Sequence, residues 1–130
     1  MKKVRWAVLG TGQVVGEFIR AIAQLSDADV TFVGSRSQER ARVFAQELDI
    51  DTATGVYQDV LTRNDVDVVY IAAVNTLHAD LIVECLAHGL HVLCEKPLVT
   101  TLDEAHRVID AAKQYERFCM EALWSRFTPG

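Results

Sequence analysis

Two short stretches and one lysine carry the residue types from which a phosphate-handling chemistry can be built. Gly10-Thr11-Gly12-Gln13-Val14-Val15-Gly16 follows an apolar run, Val4–Leu9, and opens a segment of helical period. Gly10 permits a tight turn, and Gly12, with no side chain, lets the backbone approach a pyrophosphate closely. The free amides and dipole of a helix starting there would face the phosphates, through Thr11, Gly12, Gln13 and Val14. A G-x-G alone is a weak signal; its place between a strand and a helix raises its weight. The other reading is a plain glycine-rich turn in a flavodoxin-like domain with no dinucleotide. The third fingerprint position is Val15, with Gly16 one place late, which predicts looser helix–strand packing.

The second stretch is Ser35-Arg36-Ser37, after the apolar run Val30–Gly34. A carboxylate about 20 residues beyond the glycines would take the ribose hydroxyls of NAD. Here Arg36 stands there instead and would attract a 2′-phosphate through a charge-assisted, bidentate contact. The serine hydroxyls can donate to the same phosphate, and Arg40 adds charge one turn into the next helix. The expected cofactor is therefore NADP, with NAD as the alternative. The bland reading is a solvated arginine beside a helix-capping serine.

The lysine is Lys96, in Glu95-Lys96-Pro97 at the end of the run Leu90–Cys94. Strand C-terminal ends face the ligand in an open α/β sheet, so Lys96 would project toward cofactor and substrate. A cis Lys96–Pro97 bond would suit a tight functional turn.

The elements that must position these residues alternate. Strands are expected at Val4–Leu9, Val30–Gly34, Thr54–Val56, Val66–Ala72, Leu90–Cys94 and Arg117–Met120. Helices are expected from Gly12 to Leu25, from a Ser37 cap to Leu48, from Thr76 to His88 with Gly89 as C-terminal stop, and from a Thr101–Glu104 capping box to about Tyr115. Tyr57–Leu61 reads as a turn or two of helix. Such alternation implies an α/β fold, a doubly wound parallel sheet with right-handed crossovers. Asp27 and Asp29 read as loop charges before the second strand.

The 130 residues set an expectation of one domain. A net charge of −5 leaves no footprint for nucleic acid or an anionic membrane. Three separated cysteines argue against a disulfide framework or structural zinc, and His88, His91 and His106 lack metal-ligand spacing. No signal peptide or membrane span is legible, so a cytoplasmic protein is expected.

Together these residues resemble the N-terminal Rossmann domain of the glucose-fructose oxidoreductase and inositol dehydrogenase family. The resemblance covers the whole chain. It rests on Gly10–Gly12, on Asn75-Thr76-Leu77-His78, on Ala87-His88-Gly89 and on Cys94-Glu95-Lys96-Pro97. Ser35-Arg36 and the run from Met120 to Pro129 resemble a narrower group, the dimeric dihydrodiol dehydrogenases and NADP-dependent D-xylose dehydrogenases. Ala73-Val74 stands where many relatives carry Thr-Pro. The resemblance implies an NADP-dependent dehydrogenase of a diol or sugar, a small-molecule polyol substrate and a homodimer for the full-length protein. It implies that Lys96 is the catalytic contributor, and that Asn75, His78, Glu95, Pro97, Trp124 and Arg126 lie beside the cofactor. The proton-transferring base and the family's C-terminal substrate domain would lie outside these 130 residues, so the chain alone would bind NADP with little turnover. His78 can equally be a first-turn helix residue, and Trp124 and Phe127 can equally pack on that second domain. A non-catalytic NADP sensor, or a nucleotide-sugar domain of the same architecture, would also use this frame.

Overall fold

Residues 2–122 are described in the computed structural model of the chain. Its runs of apolar residues become six parallel strands: β1 (Val4–Leu9), β2 (Ala28–Gly34), β3 (Thr52–Thr54), β4 (Val68–Ile71), β5 (His91–Glu95) and β6 (Cys119–Ala122). Their order across the sheet is β3-β2-β1-β4-β5-β6. That is the order of a doubly wound dinucleotide fold, whose crevice opens where β1 and β4 diverge. Four helices connect them: α1 (Gln13–Ile22), α2 (Gln38–Glu47), α3 (His78–Ala87) and α4 (Leu102–Gln114).

Strand residues alternate between the two faces, and the core divides accordingly. Val8, Val33 and Tyr70 point to the face covered by α1 and α2, where they meet Val15, Phe18, Ile19, Ala41 and Ala45. Leu9, Phe32, Val69 and Ile71 point to the face covered by α3 and α4, against Ile82, Leu86, Val108 and Ala111. Val15 is fully buried. Its methyls fill the α1 interface, so a branched residue at the third fingerprint position serves the core.

Helix ends follow local chemistry. Ser37 caps α2 by accepting from the Arg40 amide at 3.2 Å. Thr101 caps α4 by accepting from Glu104 N–H at 3.1 Å. The Glu104 carboxylate reaches back one residue further than a capping box does, to the Thr100 amide at 2.9 Å. Gly89, at φ +83°, ends α3. Its amide donates to the Leu86 carbonyl and that of Leu90 to Cys85, a Schellman closure. At α1, by contrast, Gly12 is extended and no side chain caps the helix.

Several boundaries move from the sequence reading. β2 starts at Ala28, because its backbone pairs with Val4–Trp6. Asp29 is thus in a strand, exposed and 3.4 Å from Lys3, rather than in the preceding loop. β3 is Thr52–Thr54, paired to Phe32–Gly34; beyond it the Gly55 amide turns to the Gln38 side chain at 2.9 Å. α1 ends at Ile22, short of the expected Leu25, which is half exposed. Asn75–Leu77 is a 3₁₀ turn, so α3 proper begins at His78. β6 begins two residues late because Glu116, at φ +51°, and the Arg117 amide, bonded to Ala112, still belong to the end of α4.

Candidate functional site

The C-terminal ends of β1, β2 and β4 form one cleft. Gly10 leaves β1 at φ +121°, and a Cβ there would lie 2.6 Å from the Ala72 carbonyl oxygen. The Gly10 amide donates to Gly34 and the Ala72 amide to Leu9, both at 2.8 Å, so the three strand ends are stitched together. Gly12 behaves differently. A Cβ at Gly12 would meet nothing within 4 Å. The fold itself therefore does not require glycine at this position; the open space lies over the uncapped start of α1, where backbone amides gather.

That opening belongs to a cavity of about 390 Å³. Gly10, Thr11 and Gly12 form one side, Ala72, Ala73 and Val74 another, and Ser35, Arg36, Ser37, Arg40 and Tyr57 the far end. Ser35 is buried and its hydroxyl oxygen accepts from the Ser37 amide at 3.3 Å. Arg36 and Arg40 are exposed, and neither makes an ion pair among the described residues. Four arginines elsewhere are paired with carboxylates: Arg42 with Glu39 at 2.6 Å, Arg63 with Asp65 at 2.7 Å, Arg5 with Asp67 at 3.0 Å and Arg107 with Asp80 at 3.0 Å. Two uncompensated guanidinium groups at one end of a cavity make a site for an anion.

Gly10, Thr11, Gly12, Ser35, Arg36 and Arg40, expected to act together, are brought to this one cavity. Gln13 is exposed at the first turn of α1, and Val14 packs its side chain on the core, leaving only its backbone for a ligand. Tyr57, which no motif singled out, also lines the cavity. Its signal is an aromatic residue two places after the Gly55 turn that closes β3.

Lys96 sits on the adjoining rim, at the end of β5, and the Lys96–Pro97 bond is cis. Lys96 and Pro97 are exposed and Glu95 is half-buried. The Tyr70 hydroxyl donates to the Glu95 carboxylate at 2.5 Å. Burial, and then this carboxylate, push the Tyr70 phenol far above its ordinary value, so it remains a donor. Tyr70 is stacked on Phe18 at 4.1 Å, and Phe18 meets Trp6 edge-on at 5.2 Å. Asn75 is exposed on the 3₁₀ turn after β4.

His78, expected beside the cofactor or at a helix start, is at the helix start and turned inward. It is 1 % exposed, and its two ring nitrogens lie 2.9 Å from the carbonyls of Pro97 and Ala73. A ring enclosed in this way sits between the loop after β4 and the Lys96 turn. His91 Nδ1 accepts from the Phe118 amide at 2.9 Å, which is a structural use. Among the described residues no cluster of His, Cys, Asp or Glu could hold a metal ion, and no helix is long and apolar enough to cross a membrane. Burial raises the Cys85 thiol to about 12 and Cys119 to about 11, so neither is an activated nucleophile. Trp124, Arg126 and Phe127 lie outside the described residues.

Three similarities bear on this geometry. The chain is 38 % identical over 127 residues to a trans-1,2-dihydrobenzene-1,2-diol dehydrogenase of Xenopus laevis, covering 96 % of this chain and 38 % of that protein. It is 38 % identical over 124 residues to an NADP(+) D-xylose 1-dehydrogenase of Haloferax volcanii, covering 95 % and 38 %. A 3-ketoreductase from Actinomadura kijaniata, in complex with TDP-benzene and NADP, superposes with a TM-score of 0.91 at 30 % identity, covering 98 % of this chain and 40 % of that one. The chain thus spans about two-fifths of the length of these proteins. The family model described as an oxidoreductase family with an NAD-binding Rossmann fold matches residues 4–123, and the chain belongs to that family.

Proposed function

We propose that this domain binds NADP across the ends of β1, β2 and β4, as the cofactor-holding part of a dehydrogenase that oxidises a hydroxyl of a vicinal diol or sugar. The observation that carries the reading is the unpaired arginine pair, Arg36 and Arg40, placed with Ser35 and Ser37 where an NAD site carries a carboxylate. The residues present fit the dinucleotide. A Cβ at Gly12 would enter open space rather than protein, so the loop leaves room for a group to approach its backbone. The uncapped α1 start offers donors to a pyrophosphate.

When bound, NADP supplies the hydride-accepting nicotinamide. The chain's own part is positioning and charge. Arg36 holds the 2′-phosphate, Arg40 adds to the local positive potential, and Tyr57 closes that end of the cavity. Lys96 provides a cation that favours negative charge developing on the reacting oxygen. The names of the relatives support a small-molecule diol or sugar as substrate. The remaining length of those relatives is where the base, the substrate specificity and a homodimer contact would reside, so this domain alone would bind cofactor with little turnover.

The test is calorimetric titration of the chain with NADP and with NAD, alongside Arg36→Ala. A charge-assisted contact to phosphate contributes about 1.5–3 kcal/mol, so NADP should bind about 10- to 150-fold more tightly than NAD. Arg36→Ala should remove most of that preference and leave NAD affinity within about twofold. Equal affinity for both cofactors in the unaltered chain would refute the assignment of Arg36.

A further inference from the structure

The turn that carries Lys96 is exposed, yet its backbone is held from two sides by side chains of other elements. His78, at the start of α3, places Nδ1 2.9 Å from the Pro97 carbonyl and Nε2 2.9 Å from the Ala73 carbonyl. Ala73 is also part of the cavity wall. One imidazole therefore spans from the loop after β4 to the lysine turn. Glu121, on β6, accepts a hydrogen bond from the Leu98 amide at 2.7 Å.

We propose that Glu121 and His78 are positioning residues that clamp the Lys96–Leu98 turn and so present Lys96 to the nicotinamide half of the cofactor; the inference rests on the NADP reading above. Two features support it. Glu121 is a half-buried carboxylate in a parallel strand, opposite Cys94, a position where charge is costly without a partner. Among the described residues its hydrogen-bond partner is the Leu98 amide, which orders the chain two residues past the lysine. His78 is almost fully enclosed, and a neutral imidazole donates to one of the two carbonyls it faces, so that bond is not exchanged for water. A turn ordered during folding need not be ordered again when ligand arrives, and that difference appears as affinity.

The cofactor can be divided to test this. 2′,5′-ADP carries the adenine end and the 2′-phosphate but no nicotinamide. Glu121→Ala should weaken NADP by about tenfold, the loss of one well-placed interaction, and leave 2′,5′-ADP within about twofold. Glu121→Gln keeps an acceptor oxygen and should recover NADP binding to within about threefold. Hydrogen exchange at the Leu98 amide gives a readout independent of any ligand: protected in the unaltered chain and in Glu121→Gln, and about 100-fold faster in Glu121→Ala. Parallel loss of both ligands in Glu121→Ala, or loss of neither, overturns the proposal. So does an unprotected Leu98 amide in the unaltered chain, which requires no variant to fold. If the unaltered chain binds neither ligand, the NADP reading fails and the lysine-presenting role fails with it. Leu98 exchange then still decides separately whether the clamp exists.

Discussion

Gly10 and Gly12 are two residues apart in one loop, but the structure assigns them opposite reasons for being glycine. Replacing each by alanine should separate folding from binding. At Gly10 the added Cβ would sit 2.6 Å from the Ala72 carbonyl oxygen and 3.0 Å from its carbon, at φ +121°. Neither the backbone of β1 nor that of β4 can retreat without disturbing the hydrogen bonds between Gly10 and Gly34 and between Ala72 and Leu9. Strained φ of this kind costs about 1–3 kcal/mol, and the backbone clash adds to it. Gly10→Ala should therefore lose about 3 kcal/mol, a fall in Tm of roughly 10 °C for a domain of this size. At Gly12 the backbone has φ −76°, which alanine accepts, and the new methyl meets no atom. An alanine at a helix N-cap costs a few tenths to about 1 kcal/mol, and the reduced freedom of the unfolded chain returns about 0.4–1 kcal/mol. Gly12→Ala should melt within about 2 °C of the parent protein. Yet its methyl occupies the approach to the α1 amides, so NADP affinity should fall by about tenfold or more. Differential scanning calorimetry and isothermal titration on both variants decide the matter. The reasoning is refuted if Gly12→Ala binds NADP as tightly as the parent, or if Gly10→Ala melts with it.

Two further outcomes follow from electrostatics away from the cleft. Asp67 accepts from the Arg5 amide at 2.9 Å and from its guanidinium at 3.0 and 3.1 Å, and this bonding holds its carboxyl below the ordinary 3.8. A depressed carboxyl stabilises the fold above its unfolded value and loses that contribution as pH falls through the folded one. Asp67→Asn should lower Tm by a few °C at pH 7. As pH falls through the depressed folded value the variant and parent should converge; a gap that stays constant across the acid range, followed by thermal melts, would count against the pairing. For the thiols, a rise from 9.0 to about 12 at Cys85 and about 11 at Cys119 cuts the thiolate fraction by factors of about 1,000 and 100. Native protein should therefore resist a disulfide-exchange reagent at pH 8 until denaturant is added. Fast stoichiometric labelling of the folded chain would contradict the burial described here.

Much of this architecture was open to reading because parallel strands covered on both faces must be apolar throughout. Val68-Val69-Tyr70-Ile71 and Val92-Leu93-Cys94 announce themselves that way. The strand ends that moved are those where backbone pairing outruns side-chain pattern. Asp29 lies in β2 because Arg5 pairs with it, and Thr52-Ala53-Thr54 is a strand at the sheet edge, where half-exposed residues carry little periodic signal. The residues that would meet the cofactor were legible for a different reason. A glycine loop and an arginine after the second strand act through residue type at a set distance along the chain, and sequence records both.

Support for the site was not legible in the same way, because it depends on which strands lie side by side. β6 runs beside β5, so Glu121 comes within reach of Leu98, 23 residues earlier. α3 starts over the end of β5, so His78 meets Pro97, 19 residues later. His78 shows how residue type alone leaves two roles open, one beside a ligand and one in the first turn of a helix. Its two ring nitrogens face carbonyls from two different loops, at the first turn of α3. Tyr57 is the converse case. No motif marks it beyond its place two residues after Gly55, yet the edge strand and the Gly55 turn deliver its ring to the cavity, against Gly34. A side chain's contact with ligand can thus follow from local spacing only when the backbone segment bearing it is itself the binding element. Where the segment is held by another, as the Lys96 turn is, the residues that set its geometry are distant in sequence and become visible only once the sheet order is known.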